Sequence, residues 1–473
     1  MTVLAVLALL ALSPAQAPAP GAEAAALKKS CDKGAGADCL RLAGLHARGE
    51  GVPRDAEKAA SFLKKACDLS VTEACFDLAT VTRTGEGAKR DPAKAAAFYQ
   101  KACDGGVAAG CAELAAMLAG GQELEKHLGR AAELHERACG GGIAASCGLV
   151  AAMYADGSPM PRDDAKAAAF YDRGCTGGDA TSCGRLAAMV RDGRGVPRDP
   201  ARAVTLARKS CDAGLAAACV ALATALQKGE GVPADPSQSL GLFTKGCEGG
   251  EPRGCLGQGE LVRDGAGGAT RDLARAAELF RKACDGKLGA GCYELGQAVG
   301  RGRGVKMDLA QATSLFRQAC TDGDPRGCTT LGQLFLAGRG VMRDLNRAAT
   351  LFDEACQKGD LAGCSAHAAM LNSGEIIGRD LPRARALYRK TCDGGIPADC
   401  HALAKTLSTL PADRKAVFEL NSKACAGGVA AACHDVATAW EAGREPLKAL
   451  PFYEKACAGG VAPACDRAKK LKQ

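Results

Sequence analysis

Aromatic residues are scarce in this chain. Phe, Tyr and Trp make up 4 % of 473 residues, with a single tryptophan, so there is little surface on which bases could stack. No block of five like charges occurs. The net charge of +8 comes from 61 basic and 53 acidic residues spread along the whole length, not from a basic arm, and nucleic acid is not an expected partner. Long apolar runs are missing too. Nothing reaches the roughly 18 consecutive apolar residues of a membrane-crossing helix, so no transmembrane span is expected. The six histidines, His46, His127, His135, His367, His401 and His434, are dispersed. Only His127 and His135 are close, and a gap of eight is not helical ligand spacing, so structural or solvent-exposed roles are expected and no metal centre. C-x-x-C is absent, which removes the usual redox dithiol. The recurrent G-x-G is too short for a dinucleotide fingerprint and lies between helical segments. No cofactor is implied.

Cysteine, by contrast, is abundant and strictly placed. The 26 cysteines fall into thirteen pairs. These are Cys31 with Cys39, Cys67 with Cys75, Cys103 with Cys111, Cys139 with Cys147, Cys175 with Cys183, Cys211 with Cys219 and Cys247 with Cys255. Then come Cys284 with Cys292, Cys320 with Cys328, Cys356 with Cys364, Cys392 with Cys400, Cys425 with Cys433 and Cys457 with Cys465. Every pair reads C-x7-C. Nine of the twelve steps between pairs are 36 residues, one is 37, and the last two are 33 and 32. A fixed period of this size marks a repeat array, which has no single central core to outgrow.

One unit, Thr72 to Asp104, shows the local logic. Ala74, Cys75, Leu78 and Ala79 share a face at helical spacing over residues 72–83. Gly85 and Gly87 break that helix. Asp91 then supplies an N-cap, with Pro92 at the first helical position. The second helix, over residues 92–103, carries Ala95, Ala96, Phe98, Tyr99 and Ala102. Two helices of a dozen residues and a short loop make an αα-hairpin. The connector recurs as GEGVPRD at 49–55, GRGVPRD at 193–199, GEGVPAD at 229–235, GRGVKMD at 302–308 and GRGVMRD at 338–344, with looser copies elsewhere. GQELEKHLGR at 121–130 lacks the Asp cap, and the last two units shorten the connector.

Residues eight apart on a straight helix are separated by about 12 Å, whereas a disulfide needs Cα atoms within roughly 7 Å. The chain must therefore turn back inside each pair, and Gly105 and Gly106 of KACDGGVAAGC supply that turn. Each bridge would join the end of one helix to the first turn of the next, closing a small loop worth on the order of 2.5 kcal/mol. Complete pairing favours an oxidising compartment. Free buried cysteines in a cytosolic array are the alternative. Residues 1–20 form a candidate signal peptide and short linker: an apolar run from Val3 to Leu12, too short to span a bilayer, precedes Ala15-Gln16-Ala17, an A-x-A-like cleavage site. No Lys or Arg precedes the run. Residues 21–473 then read as one continuous array with shortened C-terminal repeats, placed in the periplasm or outside the cell.

The unit KACDGG-x5-C, L-A, G-x-G-V-P-R-D and K-A-A-x-F resembles the Sel1-like repeat, a relative of the tetratricopeptide repeat. With a cysteine pair in every unit, it resembles in particular the cysteine-rich Sel1 proteins first grouped in Helicobacter. The resemblance covers about residues 27–471. It implies an all-α fold, an α/α solenoid of about 12 repeats wound as a right-handed superhelix with one disulfide per repeat. It also implies recognition of protein, peptide or cell-wall material, peptidoglycan fragments included, on a concave surface. The family carries a β-lactamase or penicillin-binding label as well, and hydrolysis of β-lactams is the alternative function. Ser61-x-x-Lys64 and Ser30-x-x-Lys33 match S-x-x-K formally, but S-D-N and K-T-G are absent. No catalytic residue is therefore nominated, and the repeats are too alike for any ligand-binding residue to stand out.

Overall fold

The computed structural model of the chain describes residues 21–374, 378–408 and 413–473. The candidate leader over residues 1–20 lies outside them. The described residues are helical throughout, with no strand among them, and fall into two compact units.

Unit 1 comprises residues up to 218 together with 229–233. It contains α1 (Ala22–Asp32), α2 (Gly36–Arg48), α3 (Ala56–Asp68), α4 (Thr72–Thr84), α5 (Pro92–Asp104), α6 (Ala108–Gly120), α7 (Leu128–Gly140), α8 (Ala144–Asp156), α9 (Asp164–Thr176), α10 (Ala180–Asp192) and α11 (Pro200–Asp212). Most of α12 (Ala216–Lys228) belongs to unit 2. There follow α13 (Pro236–Glu248), α14 (Pro252–Asp264), α15 (Leu273–Asp285), α16 (Gly289–Arg301), α17 (Leu309–Thr321), α18 (Pro325–Ala337), α19 (Leu345–Gln357) and α20 (Leu361–Ser373). The last six are α21 (Leu381–Asp393), α22 (Pro397–Leu407), α23 (Arg414–Ala426), α24 (Ala430–Ala442), α25 (Pro446–Ala458) and α26 (Ala462–Leu471).

Almost every helix has 13 residues, because the same two signals bound most of them. Most odd-numbered helices start at the connector aspartate. Asp163 and Asp344, for example, accept the backbone N–H three residues on, satisfying one of the unpaired donors of the first turn. Where the sequence drops the aspartate, the cap disappears: α7 begins at His127 and α25 at Glu445, neither with a side-chain cap. Most even-numbered helices end on a left-handed glycine, as Gly193 ends α10 at φ +71°. The second connector glycine has a different cause. A Cβ on Gly195 would lie 2.1 Å from the Asp164 carbonyl oxygen, so this position is held open for close contact with the odd helix of the preceding hairpin, not only for the turn.

The core of each unit runs along the stack as a strip of small side chains, with a buried aromatic beside it in several repeats: Ala95 and Tyr99 in α5, Ala167 and Tyr171 in α9, Ala276 and Phe280 in α15, Ala348 and Phe352 in α19. The cysteines complete it. In unit 1 the bridges are Cys31 to Cys39, Cys67 to Cys75, Cys103 to Cys111, Cys139 to Cys147 and Cys175 to Cys183. In unit 2 they begin with Cys247 to Cys255, Cys284 to Cys292, Cys320 to Cys328 and Cys356 to Cys364. Three more close the array: Cys392 to Cys400, Cys425 to Cys433 and Cys457 to Cys465. Their Cα atoms lie 4.4–4.8 Å apart, and each bond joins the last turn of an odd helix to the first turn of the next even helix. Neither Cys211 nor Cys219 is a free thiol, and no cysteine among the described residues is free. This is an α/α solenoid with one disulfide per repeat.

Candidate functional site

Even-numbered helices pack on their own kind from one repeat to the next: α8 on α10 in unit 1, and α14 on α16, α16 on α18, α18 on α20 in unit 2. Odd-numbered helices make no comparable contact with one another among the described residues. The stack is tighter on the even side, which makes that the inner face of each unit.

In unit 2 this face opens into two adjoining clefts of about 540 and 480 Å³, which share Tyr293, Gln297, Arg301 and Arg326. Tyr293, Gln297 and Arg301 are four residues apart and form one stripe of α16. The Gln297 amide donates to the Tyr293 hydroxyl at 3.0 Å. From α18 the Arg326 guanidinium covers the Tyr293 ring, 4.3 Å from its centroid. Between these helices runs a charge network. Arg263 donates from Nη1 to Glu294 Oε2 at 2.9 Å and from Nε to Asp264 Oδ1 at 2.8 Å. Arg326 donates from Nη2 to Asp324 Oδ2 at 2.6 Å and lies 3.5 Å from Glu294 Oε1. Glu294 is only 15 % exposed, so two arginines hold its charge out of water. Its neighbour Glu260 has a carboxyl pushed above the usual range, first by burial and then by the Glu294 charge.

No residue of this floor stood out in the sequence, although a signal was there. Five residues past the second cysteine, successive even helices carry Thr80, Ala116, Ala152, Ala188, Thr224, then Glu260, Gln297 and Gln333. The change from small to long polar side chains marks the cleft, which Gln297 and Gln333 line, with Glu260 beside the Glu294 charge. It shows only once the units are aligned and the even face is known to be the inner one.

The structure also places the residues considered for other chemistry. Ser61 and Lys64 are exposed on α3. Ser30 bonds to Asp38, and Cys31 beside it is bridged. Of the histidines, His135, His367 and His401 are buried, His135 facing Ser146 at 3.2 Å and His401 facing Asn421 at 3.0 Å. His46 stacks on Phe62, His127 is exposed, and His434 packs edge-on against Tyr453. Among the described residues, Cys320, Cys328 and Glu354 have donor atoms within 4.8 Å of one another. The two sulfurs are spent on their disulfide, so this is not a ligand set. A third cleft, of about 750 Å³ between α22, α23 and α24, is lined by Val417, Phe418 and Ala439. No helix among the described residues is long and apolar enough to cross a membrane.

Against known structures, the chain is similar to a protective antigen present in uropathogenic Escherichia coli strains that displays an SLR fold. The match has 23 % identity and a TM-score of 0.70, covering 95 % of this chain and 93 % of the other. A Sel1 repeat protein from Oxalobacter formigenes matches at 23 % identity and TM-score 0.51, over 64 % of this chain and 88 % of that one. Helicobacter pylori cysteine rich protein B is 31 % identical over 28 % of this chain and 93 % of its own, with a TM-score of 0.24. No curated protein sequence gives a significant match. The Sel1 repeat model matches nine stretches, residues 37–71, 72–107, 144–179, 180–215, 216–251, 256–288, 289–324, 325–360 and 362–396, more than half of the chain. Its repeats form a scaffold of the kind that mediates protein interactions, and its disulfides suit an oxidising environment. With helix pairing, connector and cysteine bridge recurring together, this chain belongs to the Sel1 repeat family.

Proposed function

We propose that the chain is a recognition scaffold, secreted or periplasmic, that binds a peptide or protein segment along the inner face of unit 2. The observation that carries this is the cleft over α14, α16 and α18, whose floor is built of long polar side chains where the preceding repeats have alanine or threonine. Successive inner helices lie about 9 Å apart, and an extended peptide advances about 3.3 Å per residue, so each repeat meets roughly three residues of a bound segment. Side-chain amides such as Gln297 and Gln333 both donate and accept, and so can pair with a peptide backbone of any sequence. The disulfide in every repeat keeps the floor rigid, which lowers the ordering cost of binding.

Panning a random peptide library against the oxidised full chain tests this, followed by hydrogen exchange with the best binder and with muropeptides. Protection confined to α14, α16 and α18 is expected. Failure to enrich any peptide, or protection only on odd-numbered helices, would sink the reading. Muropeptide protection in place of peptide protection would move the ligand class to the cell wall. The β-lactamase reading has no observation in its favour, and no turnover of a chromogenic cephalosporin is expected.

A further inference from the structure

The arginines around the unit 2 cleft have counterparts in unit 1 with different partners. In unit 1, Arg162 and Arg194 converge on one carboxylate, Asp164. Arg162 donates to it from Nε and Nη2 at 3.2 and 3.1 Å, and Arg194 from Nη2 at 3.4 Å. Asp164 lies eleven residues before the first cysteine of its repeat, and Arg162 thirteen before; Arg194 lies eleven after the second cysteine. In unit 2 those places hold Leu273, Arg271 and Arg303. Both arginines are present, and leucine stands where that one repeat of unit 1 has its carboxylate; the other repeats of unit 1 have Ala56, Pro92, Leu128 and Pro200 at this place. The next repeat keeps only one of the two arginines, Arg339; Met307 and Leu309 stand at the places of Arg162 and Asp164.

The consequence is a surplus of positive charge. Arg271, Arg303 and Leu273 all line the 540 Å³ cleft, together with Arg301 at the end of α16. Arg271, Arg301 and Arg303 have no carboxylate within ion-pair distance among the described residues, although after the Arg263 bond the Arg271 charge also helps to lower the Asp264 carboxyl; Arg271 donates only Nε, to the Arg263 carbonyl at 3.2 Å. The cleft lining has five arginines against two carboxylates, and the latter, Asp264 and Glu294, are already bonded to Arg263.

We propose that Arg271 and Arg303 form a carboxylate-binding subsite, taking an Asp or Glu side chain of an extended segment on a partner protein in the role that Asp164 plays within unit 1. The inference rests on the recognition reading above and names the class of segment recognised. Arginine is suited to it because its planar fork donates two parallel hydrogen bonds to a carboxylate. A peptide fits better than a polyanion such as polyphosphate. The same lining carries Glu294 and Asp264, which repel a continuous line of negative charge but not a single acidic side chain, and Gln297 and Gln333 offer amides that only a peptide backbone would use.

The test uses the oxidised full chain and peptides recovered by the panning above. Acidic residues should be enriched among them, and replacing one Asp or Glu by its amide should weaken binding about tenfold, the scale of one charge-assisted hydrogen bond. Arg303→Glu should remove that difference. Leu273→Asp should do the same by restoring the internal partner, and because Asp occupies this place in α9 the variant is expected to fold, as a thermal melt will show. Binders with no acidic preference, or a preference that survives both substitutions, overturn the subsite while leaving peptide recognition standing. Absence of any binder removes both. Polyphosphate that displaces nothing from the wild type supports the proposal; polyphosphate that binds through Arg303 with no peptide doing so overturns it.

Discussion

The basic residue two places before the first cysteine of a pair can have a role that is invisible locally. Its side chain reaches back about one repeat: Lys209 Nζ donates to the Cys175 carbonyl at 2.7 Å, Lys390 to that of Cys356 at 3.2 Å, and Arg137, standing in the same place, to that of Cys103 at 3.0 Å. Each places a cation on the last turn of the preceding odd helix, where the helix dipole is negative, as a second donor beside the backbone N–H that the carbonyl already accepts. Repeat 320–356 has Glu354 at this place, and Lys358 takes over, donating to the Cys320 carbonyl at 2.8 Å and to Glu354 at 2.7 Å. Buried His135 makes a residue-scale prediction. Burial holds its imidazole below the ordinary range, so below about pH 6.5 the unfolded chain binds a proton that the folded chain refuses. Stability therefore falls as pH drops from there towards the folded pKa, and the loss stops growing below it. His135→Gln keeps a partner for Ser146 and does not titrate, so its melting temperature should fall less than that of wild type between about pH 7 and pH 5. Equal slopes would assign the acid sensitivity to another group.

At the scale of the element, the connector combines a stop, a stacking contact and a start. Gly178 and Gly195 separate the stacking contribution. Both have positive φ, +96° and +68°, yet a Cβ at Gly178 meets nothing within 4 Å while one at Gly195 strikes the Asp164 backbone. Gly178→Ala should cost only the backbone strain, about 1–2 kcal/mol. Gly195→Ala should cost that and a further 1–3 kcal/mol or so of overpacking. Urea unfolding of the two variants reads the difference, and equal losses would mean that the helix pair yields freely at that contact. Asp163→Ala removes a cap bond instead and should cost about 1 kcal/mol, within a range of about 0.5–2.

For the whole molecule, thin burial is offset by covalent bridges. Alanine is the commonest buried side chain, and each buries little apolar area at about 25 cal/mol per Å². Replacing Cys103 and Cys111 together by alanine should lower stability by about 2.5 kcal/mol, and the same change at Cys320 and Cys328 should add to it, since five cysteine-paired repeats separate them. Urea melts of the two double variants and their combination decide this. Loss of all folding from one pair would show that the repeats are far more strongly coupled than nearest-neighbour stacking allows.

Period, helix type and helix ends were legible in the sequence because they rest on short-range chemistry: an aspartate or a left-handed glycine acts within four residues. The bridges were legible for the same reason, since a turn inside C-x7-C is the only way to bring the two Cα atoms together, and the family followed from period, connector and cysteines combined. The site was not. Arg271, Arg303 and Leu273 look like ordinary variation in a connector until α15 and α16 are packed side by side. Arg162 and Arg194 are 32 residues apart, and only the stacking of one hairpin on the next sets both on Asp164. Which face is inner, which arginines are left without a carboxylate, and where the cleft opens all depend on contacts between repeats, and those were decided by the tertiary structure alone.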